Sequence, residues 1–277
     1  MVLEQIYSAN WIEKKSRFAF FIGLIYSAIG IGSALLLFPE NPGLASIAFT
    51  SLLILPSLNK LLLIEENQAA RERKFDIIEL FKDHNDIFKV YLFLFLGILV
   101  TFSIFSLILP SIVTSRIFSE QVNILGLTGE AYTIKNVFSS LFLNNLKVLI
   151  FCLIASFIYG SGAVFIITWN ASVWGTVFAI VAKQSAAVTG QNPFLYFALT
   201  LLAVFPHMIL EASAYFIAAI SGGIVSKSVL REKLFSKRFT QIIEDGLMMF
   251  VIAVVVLVIA VYIETNITGY IVRFFGV

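Results

Sequence analysis

FLYFALTLLAVFPHMILEASAYFIAAISGGIV, residues 194–225, decides the fold of this 277-residue chain. The stretch runs 32 residues with a single formal charge, Glu211. About 20 apolar residues suffice to cross a bilayer as helix. This is therefore a transmembrane helix, longer than one straight crossing needs. The turn residues Gln191-Asn192-Pro193 start it, and Pro206 frees the Leu202 carbonyl inside it, a cause of bending.

Working outward, the same length and polarity recur. Toward the C-terminus, a basic stretch (226–246) precedes an apolar run at 247–263. Toward the N-terminus, runs at 146–168 and 171–185 are separated by an expected break at Trp169-Asn170. Further runs lie at 90–109, 44–64 and 18–38, the last two joined by the turn Glu40-Asn41-Pro42-Gly43. The sequence thus predicts an all-α, polytopic transmembrane bundle of about seven spans. Composition agrees: 59% of residues are hydrophobic and 13% charged, with mean hydropathy +0.95. Soluble domains run at about 45–50% apolar and about 25% charged, so a soluble enzyme is excluded. A net charge of +2 gives nucleic acid no electrostatic footprint. The lone Cys152 cannot form an internal disulfide.

Lys and Arg set the orientation. With the N-terminus inside, inner segments hold fourteen of them and outer segments five. This asymmetry predicts N-terminus in and C-terminus out, in the cell membrane. Trp11, Trp169 and Trp174 then fall near the inner interface. Two inner segments, 65–89 and 226–246, place apolar residues at helical spacing among charges. They read as continuations of the adjacent spans, or alternatively as interfacial or docking helices. The N-terminal part divides into a hairpin (1–64) and a cytoplasmic amphipathic segment (65–89).

Charge inside hydrocarbon is costly, so ionisable residues there mark candidate sites. His207 and Glu211 are four apart and share a helix face. Glu211 is the one acidic residue within the predicted spans. The face continues through Ala214, Ala218 and Gly222, small residues that let helices pack closely. The pair is therefore expected to point into the bundle, either satisfying each other or binding a proton, an ion or a partner helix. Asn144 and Asn145 stand at the start of the fourth span, and Asn170 reads as a cap at the break. No metal or cofactor site is expected, since His207 and Glu211 alone are too few ligands for zinc. The zinc-protease pattern and a phosphate loop are absent from the sequence. A Ser161–His207 dyad at similar depth is a conceivable nucleophile arrangement. Asn266-Ile267-Thr268 reads as a glycosylation sequon.

In order along the chain, Phe142-Leu143-Asn144-Asn145-Leu146-Lys147, Trp169-Asn170-Ala171 with Gly175, and Phe205-Pro206-His207 with Glu211-Ala212 form a pattern. The chain resembles the stage II sporulation protein M family, whose motifs read N-N, then N-G-x-x-x-G, then P-H-G-x-x-E. It departs at Ala171 and Met208, where the family usually has Gly. The resemblance implies a five-helix unit over 90–277, with Asn145, Asn170, His207 and Glu211 at the family positions. It implies a non-enzymatic membrane component, and in spore formers a scaffold for cell-wall hydrolases. The expected function is a multipass scaffold or partner-binding subunit, its partner a membrane protein or a second copy. The alternative is a small-solute or ion permease using His207 and Glu211.

Overall fold

Apolar runs in lipid must satisfy their backbone internally, and helices do this within each segment. A computed structural model describes residues 16–69, 84–127 and 137–275, and every regular element among them is helical. The elements are α1 (Phe18–Leu37), α2 (Pro42–Ala69), α3 (Asn85–Ile108), α4 (Ser111–Ile117) and α5 (Ser119–Leu127). They continue with α6 (Val137–Tyr159), α7 (Ala163–Thr189), α8 (Pro193–Arg231) and α9 (Lys237–Ile263). A π-helical turn (Glu264–Thr268) and α10 (Gly269–Phe275) follow. Seven of these are long and apolar enough to cross a membrane: α1, α2, α3, α6, α7, α8, and α9 with its continuation. The chain is a multipass membrane protein.

Local chemistry sets the helix ends. The Asn192 side chain accepts the Phe194 N–H at 2.8 Å, and Pro193 occupies the first turn of α8. Ser236 caps α9 by accepting the Phe239 N–H at 3.2 Å. Gly190 closes α7 in the left-handed region, φ +70°. The Lys183 amino group donates to the Ser106 (3.0 Å) and Leu109 carbonyls at the end of α3, which the Thr114 hydroxyl also reaches at 3.4 Å.

Helices 1 and 2 form a hairpin against α3, while α8 packs along α9, α6, α7 and α3. Close backbone approach occurs where glycines face carbonyls: Gly97 against Phe20, Gly175 against Leu99, and Gly222 against Leu153. Aromatic rings fill the centre. Phe216 of α8 stacks on Tyr91 at 5.9 Å and meets Phe88 and Phe95 edge-on. Trp174 meets Phe95 edge-on at 5.4 Å.

Two expectations are corrected. First, the break between the fourth and fifth spans lies at Gly160-Ser161-Gly162. Residues Trp169 and Asn170 are inside the continuous helix α7. Gly160 adopts φ +73°, and a Cβ there would meet Lys227 Nζ and Asn59 Oδ1, which hydrogen-bond each other at 3.3 Å. Only glycine fits that reversal. Second, Trp174 stands eleven residues into α7, about 17 Å along its axis. It packs in the core rather than at an interface. Trp11 lies outside the described residues. The polar stretch 65–89 is helical at both ends: α2 continues through Ala69 and α3 begins at Asn85. Its residues 70–83 lie outside the described ones. The other basic stretch, 226–246, is the end of α8, a turn and the start of α9. There the plainer reading, continuation of adjacent spans, holds.

Candidate functional site

Helix α8 is the organising element. At 39 residues it is about 58 Å long, and His207 and Glu211 occupy its middle third. Both are buried, at 8% and 7% exposure, on the face turned toward the bundle. Ala214, Ala218 and Gly222 continue that face and are all buried.

The two side chains do not bond each other. Glu211 Oε1 accepts the Tyr215 hydroxyl at 2.7 Å, one turn along the same helix. His207 Nδ1 lies 2.9 Å from Thr268 Oγ1, at the end of the π turn. A neutral imidazole accepts there through an unprotonated Nδ1 or donates through a protonated one, and the threonine hydroxyl serves either role. The bond ties the middle of α8 to the segment following α9.

The π turn brings a second carboxyl into the site. Glu264 opens the turn, is half-buried, and stands within electrostatic reach of Glu211. It has no hydrogen-bond partner among the described residues. Single π turns inside helices are frequent at functional sites because the wide turn re-aims side chains. Here one turn delivers both Glu264 and Thr268.

Asn145 joins from α6. Helices α6 and α8 run in the same direction, and Gly222 faces Ser156 across their seam. Stepping back eleven residues, about three turns, keeps the same face on both helices. That register sets Asn145 level with Glu211. Asn145 is buried at 7% and accepts the Asn144 side-chain N–H at 3.4 Å. Because α6 begins at Val137, both asparagines lie inside the helix rather than at its start.

Asn170 is placed apart from this group. It is half-buried in α7 and donates to the Ile166 carbonyl at 2.8 Å, so it caps nothing. Ser161 is also separate. Its hydroxyl donates to the Leu55 carbonyl at 3.4 Å, in the turn beside Lys227. His207 stands twenty residues before Lys227 on α8, about 30 Å along the axis. The Ser161–His207 dyad does not form, because the chain break falls at Gly160 and carries Ser161 to the end of the bundle. In the sequon, Asn266 is exposed and donates to the Tyr262 carbonyl at 2.9 Å. Its Thr268 is buried in the bond to His207.

The site is thus an imidazole, two carboxyls, a phenol, a threonine hydroxyl and a nearby amide between α8, the π turn and α6. It can hold protons and fix helix register. Among the described residues, no group of three or more His, Cys, Asp or Glu could hold a metal ion. Tyr215, Glu264 and Thr268 are absent from the sequence-derived set. Tyr215 was reachable, standing four residues beyond Glu211 on the same face. Glu264 and Thr268 fall past the apparent end of the last span.

Residues 85–269 match the family described as Stage II sporulation protein M. The match covers about two thirds of the chain, from α3 to the π turn, and the chain belongs to that family. No curated protein and no solved structure matches it.

Proposed function

We propose that this member of the stage II sporulation protein M family is a non-enzymatic scaffold of the cell membrane. It holds a membrane-protein partner or a second copy of itself. The observation that carries this reading is where the buried polar groups go. Thr268 binds His207, so a buried hydrogen bond ties the π turn to α8, while the Tyr215–Glu211 bond satisfies two polar groups within α8 itself. Ser161, the candidate nucleophile, is bound to a backbone carbonyl instead of a base. Backbone-close glycine contacts add to the same rigid framework. In this reading the end carrying Arg17, Lys60, Lys89, Lys227, Arg231, Lys233, Lys237 and Arg238 is cytoplasmic. The test is affinity purification of the full chain in mild detergent after crosslinking in membranes. A stoichiometric membrane protein or a defined oligomer is expected; a lone monomer in every detergent overturns the reading.

A second reading is favoured by one observation. Glu264 has no hydrogen-bond partner among the described residues and stands within electrostatic reach of Glu211, two carboxyls suited to taking up a proton or a monovalent cation. A permease of that kind would show flux in proteoliposomes that disappears in Glu211→Gln.

A further inference from the structure

A shallow groove of about 280 Å³ runs along the outside of the bundle between α6 and α9, with α8 as its floor. Gly222 of α8 lies in the floor, and Leu153 and Phe157 of α6 with Gly246, Leu247 and Phe250 of α9 are among the walls. The lining is almost wholly hydrocarbon. The two glycines let the helices around the trough pack closely: a Cβ on Gly222 would meet the Leu153 carbonyl of α6, and one on Gly246 would meet Val225 of α8.

The groove begins six residues into α9, about 9 Å below Lys237 along the axis. Directly above it is the α8–α9 turn, which is rich in cations. Lys227, Lys233, Lys237 and Arg238 stand there beside one carboxylate of the turn, Glu232, which is paired with Arg238 at 3.0 Å. Lys227 is engaged by Asn59. Lys233 and Lys237 are exposed and make no ion pair among the described residues. The next acids, Glu244 and Asp245, stand about two turns deeper on α9. The turn also exposes Leu230 (77%), Leu234 (58%) and Phe235 (88%). Apolar side chains beside lysines are the chemistry of a segment seated in the headgroup boundary.

We propose that this groove binds one acyl chain of an anionic phospholipid, whose phosphate is held by Lys233 and Lys237. The two parts are spaced as such a lipid requires. Cations stand at headgroup level, and a hydrocarbon trough starts about 9 Å below. The proposal is independent of the scaffold reading, since it concerns the lipid-facing side of α6, α8 and α9.

The test uses the full chain, delipidated in a neutral maltoside. It is titrated with dioleoyl phosphatidylglycerol or dioleoyl phosphatidylcholine, and bound lipid is counted by native mass spectrometry. Two lysines near the headgroup predict roughly a thirtyfold preference for the glycerol lipid. The double variant Lys233→Gln/Lys237→Gln should bind both lipids alike. Leu247→Trp, which fills the groove from an exposed position, should weaken both. Equal binding of the two lipids by the unaltered chain overturns the proposal. So does a Leu247→Trp variant that keeps its lipid but changes its monomer–dimer ratio, which would assign the groove to a second copy.

Discussion

The seam between α1 and α3 and the seam between α8 and the π turn join helices by opposite means. In the first, the contact is backbone on backbone. Gly23 faces the Leu94 carbonyl, Gly97 faces the Phe20 carbonyl, and Thr101 donates to the Gly97 and Leu24 carbonyls at 3.0 and 3.2 Å. Gly23, Gly97 and Thr101 carry no charge. In the second seam a side-chain bond makes the join, His207 with Thr268, while Glu211 holds Tyr215 within α8 and Glu264 stands alongside. Lipid supplies no hydrophobic drive for helix association, so packing and hydrogen bonds must supply it. The glycine seam depends on what is missing, and any added side chain damages it. The polar seam depends on what is present, and it can be adjusted one atom at a time.

That contrast can be broken or sharpened by four variants and one exposed control, compared through thermal melts in detergent. Gly97→Leu should do most harm. A leucine would drive into the Phe20 backbone, which cannot rotate away, at a cost of about 3 kcal/mol or more. The expected result is loss of the folded peak on size exclusion. Glu211→Ala comes next, orphaning the buried Tyr215 hydroxyl at about 2 kcal/mol. The exposed Glu120→Ala on α5 should be nearly neutral, and equal melting temperatures for the two would remove Glu211 from the polar seam. Thr268→Val keeps the shape but deletes the His207 bond, a loss of about 1 kcal/mol. Glu264→Gln should change least, within about 0.5 kcal/mol or slightly stabilising, because it takes one of two neighbouring carboxyls away. A large loss in Glu264→Gln would mean that the charge itself holds the turn.

The polar seam was half legible in the sequence. Helical spacing alone put His207 and Glu211 on one inward face, and their burial follows from the small residues continuing that face. Their partners were not legible for two different reasons. Tyr215 is on the same face, but nothing in the spacing alone marks its hydroxyl as the partner of Glu211. Glu264 and Thr268 sit in Glu264-Thr265-Asn266-Ile267-Thr268, whose composition resembles a tail leaving the membrane. Hydropathy cannot register that the chain widens into a π turn and stays against α8. The Gly160 reversal was hidden for a similar reason. Gly-Ser-Gly also occurs inside membrane helices, whereas Trp-Asn looks polar, so the sequence points to a break nine residues too late. What settled the true position was a long-range contact, Lys227 with Asn59, that no local window contains. The glycine seam is the reverse case. Gly23 and Gly97 are visible in the sequence, yet nothing there pairs them.

The three-residue link at Gly160-Ser161-Gly162 has a consequence for how the chain is made. Helices α6 and α7 together form fifty residues of hydrocarbon-compatible chain with no soluble excursion between them. An insertion machine that released α6 alone would have nothing aqueous to park before α7 arrived. The two legs must leave the translocation channel as one hairpin, so the direction of the first dictates the direction of the second. Lengthening that link, rather than altering either leg, is the change that would let them enter the bilayer independently.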